Sequence, residues 1–224
     1  MSHFAEHRFP YPIREDLLSA LRKSWADLGR AGTWWPGAER LAIATVAREQ
    51  RVQRSQAPWA RAATTGLGAE LPEAAIQAAS RIAADPHNLD RAWAEEMTAE
   101  LGDTHYVEIA SIVVTVAAVD AFCEAFGVDH EPLPDPQPGE PSGQRPDGMG
   151  DIGAWVPAIV EYPGPNVARA MSLVPEGVKT FFRLVSVMYS SADFDKMVWA
   201  HRPLSRPQVE LLAARVSAVN ECFY

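Results

Sequence analysis

"DTHYVEIASIVVTVAAVDAFCEAFGV", residues 103–128, decides the fold class of this 224-residue chain. Its centre, Ile112-Val-Val-Thr-Val116, has the β-branched character of a strand. Length and alanine content overrule that reading. The run opens on Asp103 and Thr104, both helix-start types, and continues for more than twenty residues to Gly127, so it predicts one long helix. It is apolar nearly all round, and such a helix is buried on every side. The longest uncharged apolar part, Ile109 to Val119, falls short of the ~20 residues that span a bilayer. A core helix is therefore expected, not a membrane span.

Helical spacing extends in both directions from it. Leu17, Leu18, Leu21, Trp25 and Leu28 share one face of a helix from about Arg14 to Leu28, with Gly29 and Gly32 beyond. Pro36 then suits a helix start before Leu41, Ala42 and Val46. "APWARAATTG", "LPEAAIQAASRIAAD" and "DRAWAEEMTAELG" read as further helical segments, each bounded by Pro, Asp or Gly. Residues 131–153 are rich in Pro and Gly and read as a linker or long surface loop. Helical patterning resumes in "AWVPAIVEY", "VARAMSLV", "PEGVKTFFRLVSVMY" and "ADFDKMVWAH". In the last segment, "SRPQVELLAARVSAVNECFY", Ser205 and Gln208 form a capping-box pair. The expected fold class is all-α.

Composition narrows the function. With 29 acidic and 20 basic residues the net charge is −9, which opposes nucleic acid and anionic membrane as partners. Cys123 and Cys222 are far apart in the chain and form no disulfide framework, so a reducing, cytoplasmic setting is expected. The opening "MSHFAEHRFPYP" has no apolar signal core. His3, His7, His87, His105, His130 and His201 lack metal-ligand spacing. "GMGDIG", residues 148–153, fits a dinucleotide fingerprint in letters but follows a proline-rich loop instead of a strand. No cofactor and no metal are expected.

Glu210 stands twelve residues before Cys222. On an unbroken helix that separation is about 18 Å, so the two cooperate only if the helix ends between them. Asn220 is a plausible break, placing Cys222 in a first turn where the helix dipole favours a thiolate. Ala213, Ala214 and Ser217 leave the Glu210 face uncrowded. The plainer reading is an inert packed thiol and a solvated first-turn carboxylate.

"P-x-x-E-L-L-A-x-x-V-S-x-x-N-E-C-F-Y", residues 207–224, resembles the core of the AhpD-like alkylhydroperoxidases of the carboxymuconolactone decarboxylase superfamily. There a glutamate stands twelve residues before the first cysteine of a C-x-x-C, with a histidine four residues after the second. Glu210 and Cys222 match the first two positions, and Tyr224 matches a residue between the cysteines. His201 and Ser217 are possible supporting groups. The second cysteine and the histidine would fall beyond Tyr224, so the chain is expected to stop inside the motif.

The resemblance implies an AhpD-like antiparallel helical bundle, with one complete repeat plus the first part of a second. Residues 1–130 would be the first repeat, 131–153 the linker and 154–224 the start of the second. Pro36, Glu39, Leu41, Ala42 and Ala47 overlay Pro207, Glu210, Leu212, Ala213 and Ala218. In the first repeat Arg51 and Arg54 take the cysteine positions, making it catalytically silent. The implied activity is a thiol-dependent peroxidase or disulfide oxidoreductase, inactive or weak here without a resolving cysteine. Implied partners are a peroxide or small organic substrate, a lipoyl- or thiol-bearing reductant protein, and further copies of the chain in a homo-oligomer. The alternatives are a cofactor-free carboxymuconolactone decarboxylase-like lyase and a non-catalytic helical scaffold.

Overall fold

The computed structural model describes residues 4, 9–162, 166–189 and 203–219. Along them run α1 (Glu15–Leu28), α2 (Gly37–Val52), α3 (Glu73–Ala84), α4 (Arg91–Leu101) and α5 (Asp103–Ala125). There follow β1 (Met149–Gly150), β2 (Ala158–Ile159), α6 (Asn166–Arg169), α7 (Pro175–Met188) and α8 (Arg206–Val219). The class is all-α; the sheet among the described residues is a single two-stranded antiparallel pair.

The quoted stretch is one helix, α5, and α1, α2, α3, α4 and α7 all pack on it. By length and composition α5 could cross a membrane, but 72% of its most apolar window is buried inside the protein. Ile109, Ile112, Val116, Val119 and Cys123 are fully buried along it. Its start is sharper than the sequence implies. Gly102, with φ of 83°, is the N-cap, and the left-handed backbone that turns α4 into α5 favours a residue without a Cβ. Asp103 is instead the first helical residue, gripped by both Nη atoms of Arg145 at 2.9 and 2.7 Å.

In α1 the buried Leu18, Leu21, Trp25 and Leu28 recur at helical spacing, so the expected stripe is the one that packs. Glu15 and Asp16 occupy its first turn, where the helix dipole favours acids. The turn from α1 into α2 brings backbone against backbone. A Cβ on Gly37 would lie 2.3 Å from the Gly29 carbonyl oxygen, so only glycine fits. Pro36 caps α2 and does not belong to it.

The proline-rich segment is a strap laid over that turn. Gln137 N–H donates to Gly29 O at 2.7 Å, and Gly143 N–H donates to Thr33 O at 2.8 Å. Trp25 Nε1 donates to Pro132 O at 2.7 Å. Beyond the strap, α7 returns against α1 and α5. Arg183 reaches Asp27 at 2.9 Å and Arg14 reaches Val187 O at 3.2 Å, so α1 and α7 are antiparallel.

Three described segments depart from the helical reading. Of "VARAMSLV" only residues 167–169 are helical, in the short α6; "ADFDKMVWAH" lies outside the described residues. In "APWARAATTG" only a 3-10 turn, Pro58–Ala60, forms. In "AWVPAIVEY", Ala158–Ile159 form β2 and Ala154–Val156 bend. Pro157 explains the last case: it lacks an N–H and steers the preceding residue away from helical backbone.

Candidate functional site

Glu210 and Ser217 both lie on α8. Ser205 caps this helix through Gln208, whose Oε1 accepts from Ser205 N at 2.8 Å. That is the backward half of the expected capping box. Seven residues make nearly two turns, so Glu210 and Ser217 face the same side without touching. The Glu210 carboxylate is 42% exposed and only loosely paired with Arg206, at 3.8 Å. Ala213 and Ser217 beside it are half-buried, whereas Leu211, Leu212 and Val219 are exposed. No break interrupts α8 as far as Val219. Cys222, Tyr224 and His201, together with the expected turn at Asn220, lie outside the described residues.

Cys123 is the thiol the structure describes, and it is fully buried. Burial pushes its pKa up, and the nearby Asp120 and Glu131 charges add to the shift. A neutral thiol without solvent contact is a poor nucleophile, which agrees with its packing role.

The chemistry concentrated in the described residues is a ladder of ion pairs joining α2 to α5. Arg40 meets the fully buried Glu108, which also accepts from Trp34 N–H at 2.7 Å. Next along both helices, Arg48 holds the fully buried Asp120 through Nε at 2.9 Å and Nη2 at 2.6 Å. Finally, Arg51 clamps Glu124 at 2.6 and 2.9 Å. Since both partners advance in the same order, α2 and α5 run parallel. The Arg51 hydrogen bonds hold the Glu124 carboxyl at about 2, well below its usual range, despite partial burial; His130, 3.0 Å away, adds to the effect. These carboxylates are neutralised in fixed geometry, which suits structure better than proton transfer.

Sequence reading did not identify the ladder, though it contained a cue. Glu108 and Asp120 interrupt an apolar helix, and carboxylates so placed are rarely buried without a cation. What it could not supply was the partners, which sit about 70 residues earlier in a chain with many arginines.

Glu39, which the sequence overlay sets against Glu210, lines a cavity of about 360 Å³ with Trp34, Trp35, Glu73, Glu100 and His105. The His105 ring stands 5.0 Å from Trp35 and 5.8 Å from Trp34. Trp35 Nε1 donates to His105 O at 3.2 Å; the buried Trp34 Nε1 finds no acceptor among the described residues. The Trp34-Trp35 pair is thus split, Trp35 in the core and Trp34 half-buried at the cavity wall. Among the described residues no cluster of His, Cys, Asp and Glu could hold a metal ion. No family model, curated protein or solved structure matches this chain.

Proposed function

We propose that this chain is a thiol-dependent peroxidase or disulfide oxidoreductase of the AhpD-like type, with Cys222 as nucleophile and Glu210 as proton relay. The observation that carries the reading is on α8. An accessible carboxylate stands near the start of an unbroken helix, small residues follow on its side, and the spacing to Cys222 is that of the resembled motif. The proposal includes the AhpD-like arrangement of a full repeat followed by the start of a second. Two features support it: α1–α2 and α7–α8 are helix pairs in the same chain order, and Glu39 and Glu210 both lie in the opening turns of their helices.

In the reaction the Cys222 thiolate attacks one peroxide oxygen, the O–O bond breaks, and the other oxygen leaves as alkoxide. Glu210, having taken the proton from the Cys222 thiol to form that thiolate, passes it to the alkoxide, which becomes an alcohol. The cysteine becomes a sulfenic acid. A dithiol donor, such as a lipoyl-bearing protein, reduces it back to a thiol, becomes a disulfide and releases water.

The test is a sulfenic-acid trap. After treatment with an organic hydroperoxide, a dimedone-type reagent labels Cys222, and Cys222→Ser abolishes the label. Glu210→Gln slows labelling about 100-fold, the usual size of a lost proton-transfer group. Absence of label, or an unchanged rate in Glu210→Gln, overturns the proposal. A second reading, a non-catalytic interaction role, is favoured by the exposed Leu211, Leu212 and Val219 of α8. It predicts no trapping, and loss of assembly when those residues are made polar.

A further inference from the structure

A cavity of about 160 Å³ opens between α1, the start of α2, α5 and α7, away from α8. Lys23, Arg30, Arg40 and Arg183 stand in its wall. Asp27 alone serves three of these cations, with Lys23 at 3.5 Å, Arg30 at 3.2 Å and Arg183 at 2.9 Å. Arg40 is occupied by the buried Glu108. Glu176, also in the wall, is taken by Lys179 at 2.6 Å. Among the described residues, three cations against one carboxylate leave an excess of two positive charges on this wall, in a protein whose net charge is −9.

The remaining wall has two characters. Ser24, Ser111 and Thr115 are buried and polar, Thr115 Oγ1 donating to Ser111 O at 2.9 Å and Ser24 Oγ accepting from Arg183 at 3.2 Å, while Leu28, Ala31 and Ile112 form an apolar side. The first turn of α7 also reaches the cavity at Glu176 and Gly177, and the N–H groups of such a turn lack helical acceptors. Gly177 lies close against α5: a Cβ there would come within 2.3 Å of Ser111 Oγ. The volume equals about five water molecules at liquid density, enough for an acid of a few carbons.

We propose that this cavity binds a small carboxylate carrying a short apolar tail. Its anionic head lies between Arg183, Arg30 and Lys23, where charge-assisted hydrogen bonds replace those to water. The tail lies on Leu28 and Ile112. The site is independent of the chemistry proposed for α8.

Isothermal titration of the full chain with sodium butyrate, at constant ionic strength, tests it against 1-butanol and inorganic phosphate. Butyrate is expected to bind at least tenfold more tightly than either, the alcohol lacking the charge and phosphate the tail. Arg183→Gln weakens butyrate about tenfold, with circular dichroism checking its fold. Lys23→Gln alters a side chain 57% exposed, leaves folding intact and weakens butyrate several-fold. Arg91→Gln, remote from the cavity, does not change it. Butyrate binding no better than butanol or phosphate, or binding equal in wild type and Lys23→Gln, overturns the proposal.

Discussion

Removal of one arm of the Arg48–Asp120 pair separates structural cost from electrostatic gain. Asp120 is fully buried on α5, and Arg48 supplies both of its close cationic contacts, at 2.9 and 2.6 Å. The His130 imidazole stands farther off, with Nδ1 3.8 Å from the carboxylate. Arg48→Met keeps the length of the side chain but leaves the carboxylate buried without a close charge partner. Breaking a buried pair in this way costs about 3–5 kcal/mol. It also removes the guanidinium 5.1 Å from the centre of the Trp25 ring, worth a further ~0.5–1 kcal/mol.

Urea unfolding followed by far-ultraviolet circular dichroism measures the loss on this helical protein. With a slope of about 2 kcal/mol per molar, the two losses together lower the midpoint by roughly 1.8–3 M. The double variant Arg48→Met/Asp120→Leu recovers most of that, because replacing both partners with apolar groups removes the stranded charge. Arg91→Met is the comparison. Its pair with Glu95 is 3.9 Å long and more than half exposed on both sides, so it shifts stability by less than ~1 kcal/mol. A single Arg48→Met variant within 1 kcal/mol of wild type, or a double variant no more stable than the single, would refute the reasoning.

Three further outcomes follow from single features. Glu124 titrates near 2 when folded against 4.5 ordinarily, so its contribution is present above pH 4.5 and lost as pH falls toward 2; Glu124→Gln flattens the melting temperature over that window, and parallel pH profiles would refute it. Cys123, buried with a raised pKa, stays unreactive toward a thiol reagent in native Cys222→Ser protein and reacts promptly in urea; native labelling would contradict the packing. Gly37→Ala drives a methyl group against the backbone oxygen of Gly29 at 2.3 Å, lowering stability by about 1–3 kcal/mol, and an unchanged unfolding midpoint would show that the strap and turn yield.

Much of the helical architecture was legible in advance because its signal is local. The stripe of α1 and the length of α5 follow from residue spacing, and Gly102 and Pro36 act as stops within one or two residues of the expected ends. The misreading of "AWVPAIVEY" has a local cause too: apolar spacing outweighed the proline within it. The candidate site is a different matter. Glu210 and Ser217 share a face of α8 as their spacing required, but whether Cys222 meets that face depends on residues beyond Val219.

The sequence alone determined that this protein is built from helices and that Asp103–Ala125 is the helix the others must cover. Hydrophobic period and chain stops act over a few residues, so one strand of letters is enough to read them. Tertiary structure alone decided which arginine neutralises which buried acid, that the proline-rich strap seals the α1–α2 turn, and that four cations wall one cavity. Those features join groups distant along the chain, and Coulomb attraction acts on distance in space, which spacing in sequence does not encode.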